Sequence, residues 1–349
     1  MATTKSPRSD AGSLAATTGP RAGAEDRGEG LLPRLIDEPS ARMWAMHRAQ
    51  VHRDRWPDFD GFERSRYASE LLRSAAVQWS GRARNEHGSV HQFSALTHAF
   101  TEARVPAAFL GGLARLITDE VRHAELCARM ALVCDPEGAE RAPAVFRWPR
   151  PRAPWPRAPA IDSTGGDRSR EAIDQAIFRW AADAIVCACC IGETLSRPML
   201  AAVETVATDP VARGVAAQIL RDEHLHATFG WECLAWLVPR LDDEGRAWLK
   251  ERLPGRFAGF ERSTALGIRA ETIAGREITI APGDPESTPN LGTLAAEQYA
   301  VIFFATFEQE ILPGLREVGL DADWAWAARL SLLEAPKASE DGGSISPTG

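Results

Sequence analysis

Residues 119–124 read Asp119-Glu120-Val121-Arg122-His123-Ala124, and residues 222–227 read Asp222-Glu223-His224-Leu225-His226-Ala227. Each word holds Glu-x-x-His, preceded by Asp and followed by Ala, and the two copies stand 103 residues apart. On a helix, residues i and i+3 share a face. Glu120 with His123, and Glu223 with His226, therefore each aim one carboxylate and one imidazole the same way. A single Glu-x-x-His arises by chance in many helices. Two copies on Ala/Leu-rich helices, which should be buried, are a stronger sign, because buried unpaired charge is costly and each copy then demands a compensating cation.

A metal site in a four-helix arrangement also needs one carboxylate from each of the other two helices. In an antiparallel hairpin, residues at one height lie equally far from the turn. Glu86 and Glu120 have their midpoint at residue 103, in the break Ala103-Arg104-Val105-Pro106. The other acidic candidate, Glu102, sits almost in that turn, roughly 20 Å from level at about 1.5 Å per residue. Glu193 and Glu223 have their midpoint at residue 208, beside Asp209-Pro210. Both hairpins place an acid partner level, so Glu86 and Glu193 complete a set of four glutamates and two histidines.

With these residues, over roughly 66–238 and including the words Glu86-His87-Gly88-Ser89-Val90 and Gly192-Glu193-Thr194, the chain resembles the ferritin-like di-iron carboxylate superfamily. The resemblance implies an all-α fold: a ferritin-like four-helix bundle with a long crossover between its second and third helices, plus additional C-terminal helices. It implies Glu86 and Glu193 as terminal carboxylates, Glu120 and Glu223 as bridging ones, and His123 and His226 as the nitrogen ligands. Two iron ions are the implied cofactor, with manganese as the alternative, since mixed oxygen and imidazole ligation suits either. O2 is the implied co-substrate. Metal-bound His commonly donates its other N–H to a carboxylate. A crossed pairing is expected, Asp119 to His226 and Asp222 to His123, the alternative being two solvated aspartates. Relatives that oxygenate nitrogen carry an extra His one turn before the final Glu-x-x-His; Ile219 stands there and argues against that subclass.

The remaining sequence frames this core. Its 349 residues are 44% apolar and 25% charged with net charge −8, an ordinary globular balance without a basic face for nucleic acid. The longest uncharged apolar run, Ala184 to Gly192, is far below the ~20 residues of a membrane span. The first thirty residues lack the apolar core of a secretory signal, and six cysteines make no disulfide framework, so a cytoplasmic protein is expected. The expected organisation is a disordered tail at 1–30, a helical extension at 31–65 and the bundle at 66–240. A Pro-rich crossover at 135–169, a C-terminal helical extension at 241–335 and a disordered tail at 336–349 complete it. Ser40 is expected to cap a helix with Trp44, Met46 and Val51 on one side. Pro106 suits a first helical position, and Asp209-Pro210 reads as an N-cap followed by a first turn. Further helices are expected from Asp242 to Leu253 and from about Leu291, the latter with Tyr299, Ile302, Phe303 and Phe307 on its apolar face. Only Glu277 to Ile280 has a β-like flavour.

Other residues carry blander readings. His224 lies about 100° round the helix from Glu223, a position at the surface or behind the ligands rather than a third nitrogen ligand. His87, His91 and His98 lie on the first bundle helix and are expected in the core or at the surface, the alternative being that one of them lines the cavity. Cys187-Ala188-Cys189-Cys190 holds a lone C-x-x-C one turn before Glu193; Cys189 and Cys190 are expected to line a dry pocket beside the metals. Trp180, Trp231 and Trp236 read as core. Tyr67 and Tyr299 are both remote from the ligands in sequence, which disfavours a tyrosyl-radical role.

The leading functional expectation is a non-haem di-iron oxidase or oxygenase that activates O2 to oxidise a small organic substrate. An external electron donor would supply it, and a homodimer stays open. Iron handling by a ferroxidase or peroxide-scavenging protein is the alternative, although the chain lacks a rubredoxin-like four-cysteine module. A tRNA-modifying di-iron hydroxylase rests only on the basic wording Arg147-Trp148-Pro149-Arg150-Pro151-Arg152. A metal-free helical scaffold would need six level-matched ligands by accident.

Overall fold

A computed structural model of the chain describes residues 41–52, 56–135 and 169–334. Among the described residues every long element is a helix, and no strand occurs. The expected tails, the Ser40 cap and the body of the Pro-rich crossover with its Arg/Trp wording lie outside the described residues. Helix α1 spans Ala41–Val51, α2 Ser69–Glu102 and α3 Ala107–Cys134. Helix α4 is continuous over Arg170–Val206, and α5 spans Pro210–Leu237. Helix α6 spans Asp243–Thr264, α7 Ala270–Ile273, α8 residues 296–317 and α9 Ala322–Glu334.

Local chemistry sets the helix ends near the Glu-x-x-His words. Between α2 and α3 the chain reverses through Arg104, whose φ of 55° lies in the left-handed region. Pro106 takes the N-cap of α3 rather than the first helical position. Asp209 caps α5, its Oδ1 accepting from the amides of Val211 and Ala212, with Pro210 in the first turn. Tyr67 donates to the other Asp209 oxygen at 2.6 Å and ties the segment before α2 to this turn.

Helices α2 and α3 pack along one another, as do α4 and α5. Helix α3 also packs on α5, and α2 on α4. Over an 18-residue window α4 is long and apolar enough to cross a bilayer, which the short uncharged run did not suggest. That window is 67% buried against its neighbours, and this burial accounts for its apolarity. Within α4, residues Val186–Glu193 form a π-helical segment, which the sequence reading missed. The wider turn brings the Cys189 backbone against α5, where a Cβ on Gly230 would collide with Cys189 Cβ.

Four expectations need correction. On α1, Val51 is buried but Met46 is 56% exposed, so they do not share a buried side. The helix expected from Leu291 begins at Ala296. Residues 291–294 instead dock on α2, where Trp79 Nε1 donates to Leu291 O at 2.8 Å. Gly292, at φ 78°, passes so close to Trp79 that a Cβ would lie 2.8 Å from its ring. The helix expected to stop at Leu253 continues to Thr264 through Pro254. There Phe257, Ala258 and Glu261 are buried, and Glu261 accepts from Arg329 of α9 at 2.6 Å. Finally, Glu277–Ile280 is irregular.

Candidate metal centre

Glu86 comes from α2, Glu120 and His123 from α3, Glu193 from the end of the π segment of α4, and Glu223 and His226 from α5. The structure brings all six together. Three overlapping groups each have ligand atoms within 4.8 Å of one another: Glu120, His123 and His226; Glu86, His123 and Glu223; Glu193, Glu223 and His226. His123 Nδ1 lies 3.8 Å from Glu86 and 3.6 Å from Glu223. His226 Nδ1 lies 3.1 Å from Glu120 and 3.7 Å from Glu193. The side chains of Glu120, His123, Glu223 and His226 are fully buried, and Glu86 is the most exposed of the six at 14%.

The decisive feature is what these atoms lack. Both carboxylate oxygens of Glu120 and of Glu223, Nδ1 of His123 and both ring nitrogens of His226 are buried without a hydrogen bond. Although His226 Nδ1 and Glu120 Oε1 are 3.1 Å apart, their angle is not that of a hydrogen bond. Leaving one buried polar atom unsatisfied costs about 1–3 kcal/mol, and more when it is charged. Burial and the neighbouring Glu193 carboxylate push the Glu120 and Glu223 carboxyls well above their usual range. Against the effect of burial, Asp222 and the glutamates Glu86 and Glu120 push the His123 imidazole up to about 9. Such a cluster either holds extra protons or holds a cation. Its oxygen and imidazole donors suit a borderline divalent ion.

The outer nitrogens meet the two aspartates in the crossed arrangement. His123 Nε2 donates to Asp222 Oδ2 at 3.1 Å. His226 Nε2 faces Asp119 Oδ2 at 3.5 Å, an ion-pair distance without hydrogen-bond geometry. The sequence reading missed the cations that hold these acids. Arg115 donates to Asp119 at 2.5 Å and to Asp222 at 3.1 Å. Arg122 donates to Asp119 and lies 2.9 Å from Asp222. Burial raises the Asp119 carboxyl, but His226, Arg115 and Arg122 outweigh it and hold it down at about 2. Both arginines belong to α3; the position matching Arg122 in the second word is the exposed Leu225. The repeat is thus symmetric in its inner residues and asymmetric in its support.

Of the two cysteines expected beside the cluster, both are buried, and burial pushes both thiols up. Cys189 also feels Glu193 and Glu120, whereas the charges acting on Cys190 come from Cys233 and Cys187. Cys189 is therefore the one beside the acids. Cys127, which sequence spacing did not single out, lies in the field of Glu86, Glu120 and Glu223. It follows His123 by four residues, one turn on along the same face. His224, His91 and His98 are exposed, and Ile219 is buried. Tyr299 pairs with Arg82, one turn before Glu86 on α2.

Comparisons with known family models, with curated proteins and with solved structures return no match.

Proposed function

We infer that the chain is a ferritin-like di-iron protein whose bundle is built from α2, α3, α4 and α5, and that it uses O2 to oxidise or oxygenate a small organic substrate. The observation that carries this reading is the set of buried, unsatisfied Glu and His atoms converging from four helices. Two iron ions fit that donor set, with manganese as the alternative; when bound, such a pair would supply electrons for reducing O2. Glu86, Glu120, His123, Glu193, Glu223 and His226 would hold the pair.

The other residues act on these ligands. Asp222 orients His123 through its Nε2–H, leaving Nδ1 to face Glu86 and Glu223. Asp119 faces His226 Nε2 at an ion-pair distance of 3.5 Å. Arg115 and Arg122 keep both aspartates ionised, so neither competes for a proton with the inner glutamates. Cys189, buried and within the field of Glu193 and Glu120, keeps that side dry, which strengthens the charge interactions inside. A π segment at the Glu193 position agrees with the frequent occurrence of such segments at functional sites.

The test is O2 uptake by the anaerobically Fe(II)-loaded chain, followed with an oxygen electrode. Rapid uptake in proportion to iron, lost in Glu193→Ala, is the expected result. Iron binding without O2 uptake would contradict the reading, and assembly into a large shell by native mass measurement would favour iron storage instead.

A further inference from the structure

A second convergence of ligand-type side chains lies outside the buried cluster. Glu125 follows Glu120 by five residues on α3, which at about 100° per residue puts it about 140° round the helix from Glu120 and about 160° from His123. It faces α1, on the side of α3 away from the six-residue cluster. His47 Nε2 and His52 Nε2 both converge on Glu125 Oε2, at 2.8 Å and 3.1 Å. The other oxygen, Oε1, accepts from Arg129 Nε and Nη2 at 2.9 Å and 2.8 Å. Arg129 thus fixes the carboxylate and leaves Oε2 to the imidazoles.

The arrangement is built and fixed. Glu125 is buried, at 5% exposure. The His52 ring lies against Trp56 at 3.7 Å between centroids, and Arg129 covers the Trp56 ring at 5.5 Å. His52 follows the last residue of α1, and its amide donates to Arg48 O at 3.0 Å, so the imidazole sits at the helix C-terminus. The carbonyl end of a helix favours a cation. For bonds of about 2.1 Å, adjacent ligand atoms round a tetrahedral or octahedral ion lie about 3 to 3.4 Å apart. The two nitrogen–oxygen separations are close to that spacing. His47 is 28% exposed on its side chain, so the outer side is open to water.

We propose that His47, His52 and Glu125 form a separate binding site for one divalent first-row ion of the zinc class, clipping α1 to α3. Two nitrogens and one carboxylate oxygen, with the remaining positions left to water, match the ligand preference of Zn2+. The site shares no residue with the buried cluster and does not depend on what that cluster binds.

The experiment is equilibrium dialysis of the full-length, chelator-stripped protein against buffered submicromolar Zn2+, with bound metal counted per chain. His47→Ala/His52→Ala is expected to bind one Zn2+ fewer than wild type, while Glu120→Ala/His226→Ala retains that one. In the Glu120→Ala/His226→Ala background, Co2+ in place of Zn2+ is expected to give a visible absorption band that adding His47→Gln or His52→Gln removes. Circular dichroism establishes that the variants fold, and the single Gln variants serve if the double variant does not. Equal Zn2+ content in wild type and the folded His variants would overturn the proposal, leaving a hydrogen-bonded clasp.

Discussion

His123 on α3 and Asp222 on α5 meet across the interior, the imidazole Nε2–H donating to Asp222 Oδ2 at 3.1 Å. A carboxylate can only accept, so this bond assigns Nδ1 as the inward ligand atom. Removing such an outer partner typically costs 10–100-fold in metal affinity. Asp222→Ala should therefore weaken metal binding by roughly that factor, read by chelator competition. Unchanged affinity would remove Asp222 from the account.

Arg122 is 5% exposed on its side chain and faces both aspartates, whereas Arg115 reaches them from a side chain that is 35% exposed. Losing one partner of a buried ion pair costs about 3–5 kcal/mol, because the other charge is left buried. Arg122→Met should approach that loss in chemical denaturation, and Arg115→Met should cost clearly less. The reverse order would show that Arg122 is not the principal partner.

Metal uptake should release protons. In the metal-free chain His123 is pushed up to about 9, and Glu120 and Glu223 are also raised. The His123 imidazole holds a proton at neutral pH that a metal ion must displace, so affinity should rise with pH until about 9. Calorimetry in buffers of different ionisation enthalpy measures the proton count. No buffer dependence at pH 7 would contradict the charge assignment.

Gly230 is the point where α5 passes the π segment. A Cβ there would collide with Cys189 Cβ and lie 3.1 Å from its carbonyl carbon. Gly230→Ala should destabilise the fold by about 1–3 kcal/mol through overpacking. It should also weaken metal retention, since the displaced segment carries Glu193. A thermal midpoint equal to wild type would show that the close approach is not required.

The inner six residues were legible because helix rise is constant: a turn at residue 103 or 208 fixes which acids are level with Glu120 and Glu223. The crossed aspartates were legible because each Asp precedes its Glu and so points about 100° away, toward the opposite helix. Arg115 and Arg122 were not, since nothing in spacing shows a long side chain serving the partner helix as well as its own. The π segment left no compositional mark; it shifts the phase of α4 by inserting one residue into a turn. By local preference proline at 254 marks a helix end, whereas the burial of Phe257 and Glu261 carries α6 through it. His47, His52 and Glu125 could not be linked, because they meet only after α1 has packed on α3.

The central claim is that Glu86, Glu120, His123, Glu193, Glu223 and His226 hold metal. The direct measurement is elemental analysis of the chain purified after growth with iron, beside Glu120→Ala and His226→Ala. Two iron ions per chain in wild type, with marked loss in both folded variants, is the predicted result. Wild-type iron content in both variants would contradict it.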